Sequence, residues 1–224
     1  MVYARKVPKP PRQPVLAASL NSEALNRLDD SEQLEWIDTQ FEGNSTDLTF
    51  QQVDITGCRF AGAVLTGAKF SEARIVDTEF IDCEMSGVDF ADSTLTRVSF
   101  VRCRASAVDL SATQLADVRV QQCKFDDANL RTAKLVHVEF AETSLRAADL
   151  IGASGADVAL YDCDLAGATV AQTKLAGVAL HGSVLDGLLG AASLTSAVID
   201  SNQTLAFAMA LFAGHGIRVN DDRT

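Results

Sequence analysis

The chain of 224 residues has little of what marks the commoner functional classes. Its five cysteines are odd in number and include no CxxC pair, which argues against both a disulfide framework and a zinc ribbon. No long hydrophobic run is present: the longest, around Leu205 to Ala213, is far short of the roughly 20 residues a membrane span requires. The opening stretch MVYARKVPKPPRQPVL is basic and holds all four prolines within residues 1–14, but it lacks the apolar segment of a secretory signal. The expectation is therefore a cytoplasmic protein whose residues 1–14 form a flexible tail. Charge of one sign is also scarce. Residues 46–200 carry twelve Lys/Arg against twenty-one Asp/Glu, a net −9 out of −11 for the whole chain. That balance disfavours direct nucleic-acid binding and favours partners with basic surfaces.

What is present is a repeat. From Phe50 to Leu185 the chain offers 28 positions in a strict register of five, and 26 of them are Phe, Leu, Ile, Val or Met; only Ala105 and Gly155 depart. Two residues before each, the 28 positions from Leu48 to Ser183 hold eight Ala, eight Val, five Cys, four Thr, two Ser and one Leu. Thirty-one charged residues lie between Thr46 and Leu185, and none falls on either series. A helix would need a period of 3.6 and a strand a period of two. A period of five instead describes a coil that points residues i and i−2 inward and turns a corner every five residues. Four such pentapeptides close a square of twenty, and successive coils stack at about 4.8 Å through parallel main-chain hydrogen bonds.

Runs such as ADSTL, ANLRT, ADLIG and DLAGA resemble the A(D/N)LXX consensus of the pentapeptide repeat family. The resemblance implies an all-β solenoid, a right-handed quadrilateral parallel β-helix, here of about eight coils. The expected organisation is a tail at 1–14, a partly helical capping segment at 15–33 and the β-helix at 34–200. A C-terminal helix with a short strand follows at 201–217, and a tail at 218–224. The first coil is expected near Leu34 with a one-residue slip, because Phe41 to Phe50 spans nine residues instead of ten. After Gly190 the register resumes one residue early at Leu194 and Ile199. All five cysteines sit at i−2, where burial makes them inert small side chains rather than redox or metal groups. Gly155 removes a large side chain from the axis, which predicts a void, a bend or a bulge, and Gly155→Leu is expected to stabilise the barrel if it fits.

The helix DSNQTLAFAMALFAGHG reads Ser201 or Asn202 as its N-cap and Gly214 or Gly216 as its stop. It is apolar nearly all round. One face can close the barrel, and the remainder predicts a homodimer through Leu205, Phe207, Met209, Leu211 and Phe212. EWIDTQFEG and LAFAMALFAGHGI further resemble the actinobacterial MfpA group, which implies an acidic DNA-mimicking rod that binds DNA gyrase and protects it from fluoroquinolones. The candidate partner surface is the acidic stripe Asp89, Asp109 and Asp149, with Glu72 and Asp92 beside it. The simpler reading is that Asp or Asn before the central residue serves corner hydrogen bonding. A scaffold for another partner is the alternative function. His137, His181 and His215 assemble no Cys/His or Ser/His/Asp constellation, and GASGADV lies inside the repeat instead of forming a phosphate loop, so neither an enzyme nor a cofactor is expected.

Overall fold

A computed structural model describes residues 7–25, 35–45 and 48–217. Among the described residues eleven strands run in chain order: β1 Asn21–Ala24, β2 Glu35–Ile37, β3 Thr39–Glu42, β4 Asp54–Thr56, β5 Arg59–Ala61, β6 Arg74–Ile81, β7 Thr94–Val101, β8 Gln114–Gln121, β9 Lys134–Ala141, β10 Ser154–Tyr161 and β11 Lys174–Leu175. They are followed by one helix, α1 Thr204–Gly214. The strands stack in parallel, β6 on β7 on β8 on β9 on β10, each pairing with the residue twenty ahead: Ile75 with Leu95, Leu95 with Leu115, Leu115 with Leu135. Single bridges supply two further ladders, Lys69–Asp89–Asp109–Asn129 and Val64–Glu84–Arg104–Lys124. Four ladders per twenty residues make a square solenoid of about seven turns.

The period of five reports the interior. From Phe50 to Leu185 every member of the i series except Gly155 is buried, as is every i−2 residue from Val53 to Ser183. The large axial residues stack on their own kind, with Phe60, Phe80 and Phe100 rings 4.8 and 4.9 Å apart and nearly parallel. The small corner residues do more than fill space. Ser93 Oγ donates to the Phe70 carbonyl at 2.7 Å, Thr113 Oγ1 to Phe90 at 3.0 Å and Cys103 Sγ to Phe80 at 3.3 Å, so these three corner atoms are satisfied one coil back. Two residues after each axial position the chain takes the left-handed region, as at Asp77 (φ 48°), Arg97 (53°) and Asp117 (56°). Each such corner costs an L-residue about 1 kcal/mol, which the ladder hydrogen bonds and burial offset.

The ends depart from regularity as their spacing predicts. Trp36 pairs with Ile55 and Phe41 with Phe60, a register of nineteen, whereas Asn44 pairs with Val64, so the first coil is one residue short between Phe41 and Asn44. Leu34 lies outside the described residues. At the far end Ala179 pairs with Val198 instead of residue 199, and Leu194 is buried.

Three expectations are corrected. Within 15–33, residues 21–24 are strand rather than helix: β1 pairs in parallel with β3, Asn21 opposite Thr39, because an open edge strand offers a complete row of backbone partners that a short isolated helix cannot match. Leu25, fully buried, then joins the core at that end. Within 1–14, residues 7–14 lie along the flank of the barrel rather than forming a tail, tied down by Arg12. Gly155 leaves no void. A Cβ built there would stand 1.9 Å from the Leu135 carbonyl oxygen and 2.8 Å from its carbon, so the backbone turns in against the coil below, and leucine cannot fit.

At the C-terminal end the cap is Asp200, not Ser201 or Asn202. Its carboxylate accepts from the Asn202 and Gln203 amides, and the Gln203 side chain returns to the Asp200 amide, a reciprocal box at the start of a 3-10 turn over residues 201–203. The Gln203 amide group also donates to the Leu180 and Ser183 carbonyls, bolting the turn to the last coil. Residues 215–217 form a turn rather than the expected short strand, since Gly216 takes a φ of 69° and the Ile217 amide bonds back to Phe212.

Candidate partner-binding face

The twenty-residue register sorts the outward side chains onto four faces. On one, Asp89, Asp109, Asn129 and Asp149 stand in a single column, bridged residue to residue. Glu72 and Asp92 project beside it at the corner and are exposed. The five sequence-predicted acids are thus brought together. Against them this face sets only Lys69 and Arg131, a net −3 from five acids and two cations. Between residues 54 and 177 the next face round the coil is neutral, with Asp54, Asp77, Asp117 and Asp157 against Arg74, Arg97, Lys134 and Lys174.

Each carboxylate in the column also works locally. Asp89 Oδ1 accepts from the Ala91 amide at 2.8 Å, Asp109 from Ser111 at 2.8 Å and Asp149 from Ile151 at 2.8 Å. The corner role of these aspartates is therefore real, and it leaves the second carboxylate oxygen of Asp89 and Asp109 for other partners, while that of Asp149 accepts from Arg131. Stacked like charges about 5 Å apart would repel. Asn129 relieves this by donating to Asp109 Oδ1 at 3.1 Å, and Arg131 by donating to Asp149 Oδ2 at 2.7 Å.

A regularity unnoticed in the sequence is that opposite charges recur at a spacing of twenty. Arg59 pairs with Glu79, Arg74 with Asp54, Arg97 with Asp77, Arg102 with Asp82 and Arg119 with Glu139, each one coil apart. Such exposed pairs contribute about 0–1 kcal/mol apiece, but they remove a large part of the surface acidity from display. The signal was available: counting charges by twenty, as the apolar residues were counted by five, finds these pairs.

At the C-terminal end α1 divides its apolar side chains. Ala210 is buried, and Phe207 and Leu211 pack against the core, closing the barrel. Leu205, Met209 and Phe212, at i, i+4 and i+7, are 74, 46 and 39% exposed and form one stripe. Of the five expected interface residues, three face outward and two serve as the plug. Beside the stripe, Leu189 is 53% exposed and helps line an apolar groove of about 360 Å³ against the last coil.

The cysteines are all free and buried. Burial pushes the Cys58 thiol up to about 11 and the Cys163 thiol up to about 12, so neither is a thiolate near neutrality. Among the described residues no group of three or more His, Cys, Asp or Glu is placed to hold a metal ion, and no helix is long and apolar enough to cross a membrane.

A parallel β-solenoid closed by one short helix and carrying an acidic column is the class that these features define. The sequence model of the pentapeptide repeat region matches residues 53–118 and 93–170, a continuous 53–170 that is more than half of the chain, and the chain belongs to that family. Among solved structures, a trypsin-treated form of QnrB1, a plasmid-mediated fluoroquinolone resistance protein, is similar with a TM-score of 0.52 and 19% identity, covering 90% of this chain and 99% of that one. HetL, a pentapeptide repeat protein involved in heterocyst differentiation regulation from the cyanobacterium Nostoc, is similar at 16% identity and a TM-score of 0.37, over 73% of this chain and 87% of that one. At 19% identity the likeness to QnrB1 shows the fold alone. No curated protein matches the chain in sequence.

Proposed function

We propose that this pentapeptide repeat protein is a non-enzymatic acidic rod that occupies the DNA-binding surface of a type II topoisomerase such as DNA gyrase, modulating it or protecting it from fluoroquinolones, and that two cytoplasmic rods join end to end through α1. The observation that carries the reading is the acidic column at Asp89, Asp109 and Asp149, interrupted once by Asn129, on a solenoid with no projecting loop between residues 48 and 190. Lengths agree in scale. About seven turns at about 4.8 Å give a rod of about 34 Å, and two rods about 68 Å. Duplex DNA carries a charge about every 1.7 Å, or about twenty over one rod, so a barrel of net −9 reproduces about half of that density. Mimicry on these terms depends on how the acids are aligned, as in the column at Asp89, Asp109 and Asp149. The fold likeness to QnrB1 and the MfpA-like stretches EWIDTQFEG and LAFAMALFAGHGI support the choice of partner.

The test is a gyrase supercoiling assay with and without a fluoroquinolone, using the wild type and a triple variant, Asp89→Asn, Asp109→Asn and Asp149→Asn. Asparagine keeps the corner acceptor, as Asn129 shows with the Arg131 amide, so the fold survives while three charges are lost. Dose-dependent inhibition or protection that weakens in the triple variant is expected. No effect of the wild type on gyrase from the same source overturns the reading. The ion pairs at a spacing of twenty favour a second one, a scaffold whose flanks are too neutralised to imitate a polyanion, and that reading takes over in this outcome.

A further inference from the structure

On the neutral face, the left-handed corners form their own column, and it alternates. In order along the barrel it reads Asp38, Gly57, Asp77, Arg97, Asp117, His137, Asp157 and Gly177, an aspartate at every second coil. The shared backbone conformation does not demand this, since glycine, arginine and histidine adopt it equally between the aspartates. Two of the aspartates hold the N-terminal segment. Asp117 Oδ1 accepts the Arg12 amide at 3.1 Å, and its Oδ2 accepts Arg12 Nε at 2.8 Å and Arg12 Nη2; Asp77 Oδ1 accepts the Val15 amide at 3.0 Å. The other groups facing Asp117 and Asp77 along the column are His137, 3.4 Å from Asp117, and Arg97, paired with Asp77.

The spacing is a match of two periods. Asp77 and Asp117 are two coils apart, about 9.6 Å. Arg12 and Val15 are three residues apart, and three residues of a polyproline II segment span about 9.3 Å, one complete turn. Pro8, Pro11 and Pro14 share that period, and they are the less exposed positions from Val7 to Val15, with Pro11 buried, so one side of the segment lies on the barrel. Proline supplies no N–H, and the two amides given to the track follow Pro11 and Pro14 directly. Asp117 is 3% exposed beneath the segment while the Arg12 side chain is 70% exposed, so the arm covers the track yet lies outside the core.

We propose that the alternating aspartate column is a recognition track for an extended, proline-rich, arginine-bearing segment with N–H groups at every third residue. The chain's own residues 7–17 fill it in cis, and a partner segment of the same chemistry binds only by displacing them. The short connection from Ala17 to β1 keeps the arm at an effective concentration of the order of millimolar, which weakens any competing segment against the intact chain.

The test is fluorescence anisotropy of a labelled peptide with the sequence of residues 5–18, added to full-length wild type, to Arg12→Ala and to Arg12→Ala/Asp117→Asn, each checked for fold by circular dichroism. Saturable, salt-sensitive binding to Arg12→Ala at least about tenfold tighter than to wild type is expected, with loss of at least about tenfold in the double variant. A peptide carrying Arg12→Ala should lose affinity for the Arg12→Ala chain by the same factor, which tests Asp117 even if the double variant unfolds. Absence of saturable binding to the folded Arg12→Ala chain, or equal affinity of the two peptides, overturns the proposal.

Discussion

Replacing Gly155 by alanine adds one methyl group and should cost about as much as a mild deletion from the core. The added Cβ would sit 1.9 Å from the Leu135 oxygen, and ordinary contact begins near 3.4 Å, so backbone must move by about 1.5 Å. The obstacle is the main chain of Leu135, not the far end of a flexible side chain, and Gly155 is held between Leu135 below and Leu175 above, so the backbone has little room to shift. Overpacking of this kind costs about 1–3 kcal/mol, and a strained ladder hydrogen bond adds about 1 kcal/mol. The lower chain entropy of unfolded alanine returns about 0.4–1 kcal/mol. A net loss of about 2–3 kcal/mol lowers Tm by about 4–12 °C for a chain of this size. The control is Gly167→Ala: its φ is +71°, nothing stands within 4 Å of its Cβ, and Ala107, Ala112 and Ala147 already adopt the same corner at φ 54–55°. That substitution should stay within about 1 kcal/mol of wild type. Calorimetry or thermal circular dichroism on both variants decides the matter, and a Gly155→Ala protein that melts at or above Gly167→Ala refutes the close approach.

The C-terminal stripe predicts a light-scattering mass of twice 23.8 kDa that falls to the monomer when Met209 and Phe212 become serine, while Phe207→Ser, which opens the plug, should instead lower Tm. A clean wild-type monomer would remove the dimer. The five thiols should stay silent to an aromatic disulfide reagent until the barrel is denatured, and then react together; fast reaction of the native protein would place one of them outside the core. In acid, the arm should let go. Burial pushes the Asp117 carboxyl up, but the side-chain and backbone hydrogen bonds from Arg12 outweigh it and hold the group below the usual 3.8; the Arg97 side chain does the same for Asp77. A carboxyl lowered in the folded state contributes stability that is present above its ordinary value and is lost as pH falls through the folded one. The Arg12 and Val15 amide resonances should therefore move together below about pH 3.8, and a constant position through that range would refute the latch.

The interior was legible because it obeys one rule. Phe80, Met85, Phe90 and Leu95 each face the axis for the same geometric reason, and a count by fives finds them without any partner being known. Gly155 shows the limit of that rule. The sequence states that an axial side chain is missing, but whether the gap is empty or filled by backbone depends on where the Leu135 carbonyl points, which no residue type encodes. The arm at residues 7–17 shows a second limit. Four prolines and four cations within residues 1–14 describe a tail when read alone, and its docking depends on a column of aspartates that begins some twenty residues later and recurs only every forty. Likewise Gln203 reads as an ordinary helix-start residue, yet its side chain reaches carbonyls 20 and 23 residues back.

The division of charge between adjacent faces gives the two functional readings independent handles. The column at Asp89, Asp109 and Asp149 keeps its excess because its cations are few, while the column at Asp77 and Asp117 is neutralised by Arg97 and by Arg12 brought from the N-terminus. Removing the Arg12 guanidinium uncovers one carboxylate on the neutral face and touches none on the acidic one. If gyrase reads the acidic column, Arg12→Ala should inhibit supercoiling as the wild type does, and the Asn triple variant should bind the residue 5–18 peptide no differently from a wild-type column. A change of gyrase response in Arg12→Ala of the size produced by the triple variant would mean that one surface, spanning both faces, meets the enzyme.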